Sequence, residues 1–278
     1  MGYTYSLSVL FEKSFHFGLD LAASYTFGHS KSVYDGTSSV AYSNWKYNYA
    51  VDSNNPGLAY SMFDIPHRVM VSVGYRTPRY AKGFMATTVS LVYNGYVGQR
   101  YSLTMNESYY DAEKKKTVYI DYNGDGWGGN SLLYIPTEDE LQKMDFKTEE
   151  DRRKFDEWIE GDSYAKKHRG AYAMRNSNSA PWENRVDLHV AQDIFVLKDR
   201  GSKFQVTFDV TNFVNMLNKK WGTTYTAAYN VMPLQVIGSK KGEDGNYTNS
   251  YAYNSRNTIT KNDVLSRWHA QIGFKYIF

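Results

Sequence analysis

The chain has 278 residues, with 32 Lys and Arg against 29 Asp and Glu (net charge +3), no Cys, and 17% aromatic residues at a mean hydropathy of −0.59. No run of about 20 apolar residues occurs, so no membrane-crossing helix is available, and a balance of +3 is too small to read as a nucleic-acid footprint, which needs clustered base on one face. The lack of Cys excludes disulfide scaffolds, thiolate nucleophiles and Cys-held zinc.

Taken in chain order, period-2 alternation predicts seven strands. The chain opens inside the first, where Tyr3, Tyr5, Leu7, Val9 and Phe11 share one face and Thr4, Ser6 and Ser8 the other. With neither a basic region nor an apolar core before it, this start is expected of a piece of a longer protein. Over 17–28, Phe17, Leu19, Leu21, Ala23, Tyr25 and Phe27 oppose Gly18, Asp20, Ala22, Ser24, Thr26 and Gly28. A long connection, 29–66, leads to the third strand, with Val69, Val71, Val73 and Tyr75 against Arg68, Met70, Ser72, Gly74 and Arg76. After a short turn at 77–83, Met85, Thr87, Val89, Leu91 and Tyr93 oppose Phe84, Ala86, Thr88 and Ser90.

The second long connection, 98–182, holds two local motifs. Asp121-Tyr122-Asn123-Gly124-Asp125-Gly126 places side-chain oxygens at Asp121, Asn123 and Asp125 and a Gly at the sixth position, as a calcium loop does. Its twelfth position is Leu132, where an EF-hand needs a bidentate Glu, so the competing reading is an Asx-rich turn. Residues 137–168 are the one helix candidate: Thr137 and Glu140 have capping-box spacing, and Phe155, Trp158 and Ile159 form a stripe among charges. The fifth strand follows, with Val186, Leu188, Val190, Gln192 and Ile194 against Arg185, Asp187, His189, Ala191 and Asp193. A turn at 197–202 leads to Phe204, Val206, Phe208 and Val210 against Gln205, Thr207, Asp209 and Thr211. A third long connection, 212–264, precedes Trp268, Ala270, Ile272, Phe274, Tyr276 and Phe278 against Arg267, His269, Gln271, Gly273, Lys275 and Ile277.

Two regularities set the fold class. Every charge on these strands lies on the polar face, where a pore lumen tolerates it, whereas an Arg or Lys facing lipid costs about 2–4 kcal/mol at the midplane. The connections also alternate short and long, as in outer-membrane barrels, whose long loops face outward. A soluble β-sandwich shares the alternation but rarely carries several structureless connections longer than about 15 residues on one end. The expected fold is therefore all-β: an antiparallel transmembrane β-barrel segment, with long extracellular loops (29–66, 98–182, 212–264) and one short helix in a loop. Closed single-chain barrels of this kind start at about eight strands, and an open edge in lipid leaves N–H and C=O groups unsatisfied. The segment is thus expected to belong to a larger barrel.

The polar-face set Arg68, Arg76, Arg185, Asp187, His189, Asp193, Asp209, Arg267 and His269 is expected to line the lumen as a polar ladder. The six His show no metal-ligand spacing, and neither a nucleophile elbow nor a phosphate-cradling Gly pattern occurs, so no catalytic site is expected. The strand-end rings Tyr25, Phe27, Tyr75, Tyr93, Trp268 and Tyr276 suit interfacial girdles. Tyr109, Tyr110, Tyr225, Tyr229, Tyr251 and Tyr253 fall in the long loops.

From about residue 17 to its end the chain resembles the C-terminal part of TonB-dependent outer-membrane receptors, in particular the subgroup with an Oar-like barrel. The resemblance is carried by Tyr122-Asn123-Gly124-Asp125-Gly126 with Leu132-Leu133-Tyr134-Ile135-Pro136; by Asn176 and Ala180-Pro181-Trp182-Glu183-Asn184-Arg185-Val186-Asp187-Leu188; by Phe208-Asp209-Val210-Thr211-Asn212-Phe213 with Leu217-Asn218-Lys219-Lys220-Trp221-Gly222; and by the stretch from Arg267 to Phe278. It implies a 22-stranded barrel closed by an N-terminal plug, uptake of a bulky nutrient driven through TonB, and a location in the cell outer membrane. The signal peptide, the plug and the earlier strands are not in this sequence. The partners implied are outer-membrane lipid, the missing N-terminal barrel and plug, TonB through that plug, and an unidentified nutrient. The last strand, with Trp268, Ile272, Phe274, Tyr276 and the terminal Phe278 on one face, looks like the signal read by the barrel-assembly machinery, which pairs with an exposed strand edge. No organic cofactor is expected, and calcium only at Asp121, Asn123 and Asp125. The competing functions are an outer-membrane adhesin or surface-binding barrel without transport and, more remotely, a secreted all-β enzyme.

Overall fold

The computed structural model describes residues 2–196, 202–227, 230–243, 245–255 and 259–278. Tyr229 and all but the last residue of the turn at 197–202 lie outside the described residues. The seven expected strands form: β1 (Tyr3–Ser14), β2 (Leu19–Ser32), β3 (His67–Arg76), β4 (Met85–Tyr96), β5 (Glu183–Phe195), β6 (Lys203–Thr211) and β7 (His269–Ile277). At 9–14 residues each, they are long enough to cross a bilayer when tilted, which takes about 9–11 residues. Each pairs antiparallel with its neighbour in sequence, giving an up-and-down sheet in the order β1 to β7, with the short strand Ala59–Tyr60 added beside the end of β2.

The register places the apolar sets together. Residues directly opposed across a ladder share a face. One row reads Val73, Leu91, Leu188, Val210 and Ala270; the next reads Tyr75, Val89, Val190, Phe208 and Ile272. A slip of one residue in any ladder would turn that strand's apolar set to the lumen. Most of this face is bare, with Val73 39%, Val89 40% and Phe208 40% exposed on inner strands and Val210 the buried member of these rows, whereas a sandwich would bury it under a second sheet. Its polar members are paired: Gln192 Oε1 accepts from Tyr80 Oη at 2.9 Å and Thr87 Oγ1 at 2.8 Å, and its Nε2 donates to the Ala86 carbonyl at 3.2 Å.

Phe17 departs from expectation: it sits in the tight turn before β2, where Gly18 takes φ +96°. Among the described residues, β1 and β7 each pair on one side only, so the sheet is not closed.

The core lies beyond the sheet, in the connections that the alternation leaves without structure. Among the described residues, Leu103, Leu133, Ile135, Leu141, Phe155, Ile159 and Leu234 are the fully buried heart of one cluster, against which Trp158, Phe146 and Tyr251 pack. Fully burying a Leu, Ile or Phe contributes roughly 1.5–3 kcal/mol each, so this end of the molecule folds like a soluble domain. Small sheets tie the loops together: Arg100–Leu103 pairs with Asn178–Ser179 and with Asn230–Val231, and Leu234–Lys241 pairs with Tyr247–Tyr253.

Three of the short helices matter here: α1 (Ala41–Lys46), α2 (Glu138–Lys143) and α3 (Glu149–Gly161). The capping box opens α2, with Thr137 Oγ1 accepting from Glu140 N at 3.2 Å and Glu140 Oε2 from Thr137 N at 2.9 Å. The helix expected over 137–168 is two helices. After α2 the chain extends, and Asp145–Phe146 pairs in parallel with Ser250–Tyr251 before Thr148 caps α3. A pairing to a segment about a hundred residues away interrupts a locally helical pattern.

Candidate functional site

The sheet's polar face and the folded loops above it are the two candidate working surfaces. On the polar face, small residues (Ala22, Ser72, Gly74, Ser90) floor a groove of about 520 Å³ edged by Glu12, Asp20 and Arg76. The residues expected as one ladder fall into separate clusters. Near the short-turn end, Asp193 is buried and accepts from Arg76 Nη2 at 2.6 Å, Lys203 Nζ at 2.7 Å and Gln205 Nε2 at 2.8 Å. His189 Nδ1 contacts Asp209 Oδ1 across the β5–β6 ladder, and Arg68 Nε donates to Asn94 Oδ1 at 3.1 Å.

Arg185 and Asp187 work at the strand ends. Arg185 Nη2 donates to the Leu265 carbonyl at 3.0 Å, and Asp187 Oδ1 accepts from Asn212 N at 2.7 Å. Arg267 borders a cleft with Lys219, Lys261 and Asp263, and His269 pairs through its backbone with Thr211; neither side chain joins the clusters above.

On β7, Ile272, Phe274 and Tyr276 stand on the bare face with Trp268 just before the strand and Phe278 just after it. Tyr276 packs on Phe204 with centroids 4.9 Å apart. The other edge of β7 has no partner strand among the described residues. The rings form two belts, with Tyr25, Phe27, Tyr93 and Trp268 toward the long connections and Tyr75, Phe204 and Tyr276 toward the short turns.

The calcium-like loop is closed by its own donors. Asp121 accepts from Asp125 N at 3.2 Å and Gly126 N at 2.8 Å. Asp125 accepts from Ser53 Oγ at 2.6 Å, Asn130 Nδ2 at 2.7 Å and Trp127 N at 2.7 Å. Burial works to raise the Asp125 pKa, yet these donors hold it below the usual carboxylate value. Asn123 turns its amide nitrogen to Asn130 Oδ1 at 2.9 Å. A cation would have to displace these donors, and among the described residues no three His, Asp or Glu gather as metal ligands. Beside the loop, Glu107 is buried with Oε1 accepting from Ser131 N at 2.8 Å and Oε2 without a partner among the described residues, and burial raises its pKa.

Three polar hubs were not visible in the spacing. Asp64 and Arg100, both buried, pair through Nη2 at 2.7 Å and Nε at 3.0 Å, while Asp64 Oδ1 accepts from Ser30 N at 2.7 Å. Arg175, buried and lowered in pKa by that burial, donates to Asn48 Oδ1 and to the Ser32 carbonyl. Asn176 Nδ2 donates to the Tyr60 carbonyl at 2.8 Å and to Asp35 Oδ2 at 3.1 Å. Together they lash the first long connection to the second. The only hint in the sequence is polar residues dense with Asn, Asp and Arg in segments lacking strand alternation.

A family model described as an outer membrane beta barrel domain matches residues 3–266. No curated protein matches the chain, and no solved structure matches it.

Proposed function

Because the chain belongs to the outer membrane beta barrel domain family and so sits in the outer membrane, we propose that it is the C-terminal part of the barrel of a TonB-dependent receptor, of the Oar-like subgroup, supplying wall and ligand-facing loops for energised nutrient uptake. The observation that carries this reading is the open sheet: seven spanning strands whose two outer edges, on β1 and β7, have no partner among the described residues. Backbone groups at such edges cannot stay unpaired in lipid, so further strands of the same receptor complete the wall. The polar groove on the inner face suits a plug, through which TonB would act. The β7 edge with its alternating rings suits the barrel-assembly machinery, and the folded loops face outward to the nutrient. No enzymatic step and no cofactor belong to this reading. Calcium at Asp121, Asn123 and Asp125 would require the rearranged donors described above.

The test is the DNA upstream of residue 1, followed by uptake in a strain lacking TonB. An in-frame plug, and uptake that vanishes without TonB, are expected. A stop codon and separate promoter immediately upstream would overturn the receptor. A second reading, surface binding without transport, draws on the exposed loop rings Tyr110, Tyr119 and Tyr247; it predicts ligand retention that is indifferent to TonB.

A further inference from the structure

Between α1 and the polar hubs of the first long connection lies a cleft of about 360 Å³. Arg175 forms one wall, with Asp35 Oδ2 3.9 Å from its Nη1, so the opposite charges offset each other. Thr37 and Ser43 add hydroxyls, and Asn48 adds an amide. Asn48 is 8% exposed: its Oδ1 accepts from Arg175, whereas its Nδ2 is buried with no partner among the described residues. Leaving such a donor unpaired costs about 1–3 kcal/mol, and a ligand oxygen would relieve it.

A second, separate feature adjoins the cleft. Tyr47, in its lining, is 62% exposed. Around it stand Tyr42, stacked on Trp45 with centroids 5.9 Å apart, and Trp127, edge-on to Tyr47 at 6.4 Å. Lys46 Nζ sits 3.3 Å from the Trp127 ring centroid and holds the group together. Flat rings at the lip of a polar cleft without net charge match one ligand chemistry: a sugar ring, which presents C–H groups to an aromatic face and hydroxyls to amides and hydroxyls. An anionic ligand would meet Asp35 in the cleft, the Lys46 cation at the lip being taken up by the Trp127 ring, and the lining offers a peptide no aliphatic slot larger than Met62.

We propose that this cleft, with Tyr47 as platform and Asn48 as hydrogen-bond donor, binds a neutral oligosaccharide on the outer face of the protein. The site deepens the receptor reading, since it rests on the long connections facing outward, and names the substrate class. The test uses outer-membrane vesicles from cells assembling the protein, sedimented with labelled maltohexaose, cellohexaose, mannohexaose or chitohexaose, and with oligogalacturonate and a neutral hexapeptide as comparators. At least one neutral hexasaccharide should be retained over both comparators. Tyr47→Ala should weaken that retention by about tenfold or more, and Asn48→Asp, which keeps the acceptor for Arg175 but removes the donor, should weaken it too. Tyr47→Phe and the surface variant Lys240→Ala should match the parent. No neutral sugar retained by vesicles that contain the protease-resistant protein, preferential retention of oligogalacturonate or peptide, or equal retention by the parent and Tyr47→Ala would each overturn the site. Failure of the barrel reading looks different, as the protein would then be missing from the vesicles. Failure of the receptor reading would show as sugar binding without TonB-dependent uptake.

Discussion

Asn212 shows how a single side chain can join distant segments. It sits in the left-handed region at φ 56°, fully buried, and its Nδ2 donates to the carbonyls of Gly222 and Ser266, both at 2.8 Å. Gly222 itself takes φ +58°, and a Cβ there would fall 2.0 Å from Asn212 Oδ1. The stretch from Phe208 to Gly222 is thus a clamp that seats the third long connection on the end of β5 and β6. Asn212→Ala should destabilise the loops by about 2–3 kcal/mol, from strain plus two orphaned carbonyls. Asn212→Gly, which tolerates the backbone, should cost less; hydrogen exchange over 212–226 reads both. Asp64 is a second such residue. Removing one member of a buried ion pair costs about 3–5 kcal/mol, so Asp64→Ala should expose the loops to protease, with cleavage rising first in the first long connection. Glu107 gives a pH dependence. Its pKa in the fold is raised above the usual 4.5 by burial, so the folded state binds its proton more readily than the unfolded state. Its contribution to stability therefore falls as pH rises from 4.5 through that raised value. Glu107→Gln keeps an acceptor for Ser131 N and should remove this slope, as read from thermal unfolding of the loops in a series of buffers. A parent and variant with the same pH slope would contradict the burial effect.

At the scale of elements, face matters more than position along the strand. Val71 and Val206 lie on the bare apolar face, and Ser72 and Thr207 on the polar one, by the same ladders. Arg at Val71 or Val206 should block membrane assembly, at a cost of about 2–4 kcal/mol each near the midplane. Arg at Ser72 or Thr207 should be tolerated. Equal levels of heat-modifiable protein from all four variants would refute the register. The same alternation made β1 to β7 legible in the sequence, because period 2 with charge on one side, broken only near strand ends by Lys13 of β1 and Lys31 of β2, is a property each strand carries alone. The helical region was only partly legible. The capping box at Thr137 and the stripe of Phe155, Trp158 and Ile159 were readable as local spacings. The break between α2 and α3 was not, since it depends on Ser250 and Tyr251.

At the scale of the molecule, two environments meet. The sheet keeps most of its apolar residues outside and bare, and the loops bury a core of theirs. The open edges predict that the chain produced by itself, without the rest of the wall, requires detergent or denaturant to stay dispersed; a monomer stable in plain buffer would sink the membrane reading. The sequence by itself determined the strand count, the lipid face, the turn-and-loop alternation and the membrane class, because these follow from local periodicity and from the cost of placing charge in hydrocarbon. Only the tertiary structure decided that the polar-face charges form separate clusters, that Asp125 of the calcium-like loop accepts from Ser53 and Asn130, and that the second and third long connections share one core. Those outcomes rest on contacts such as Arg100 to Asp64 and Arg175 to Ser32, between residues 36 and 143 positions apart, and a packed core takes its energy from such meetings rather than from any local pattern.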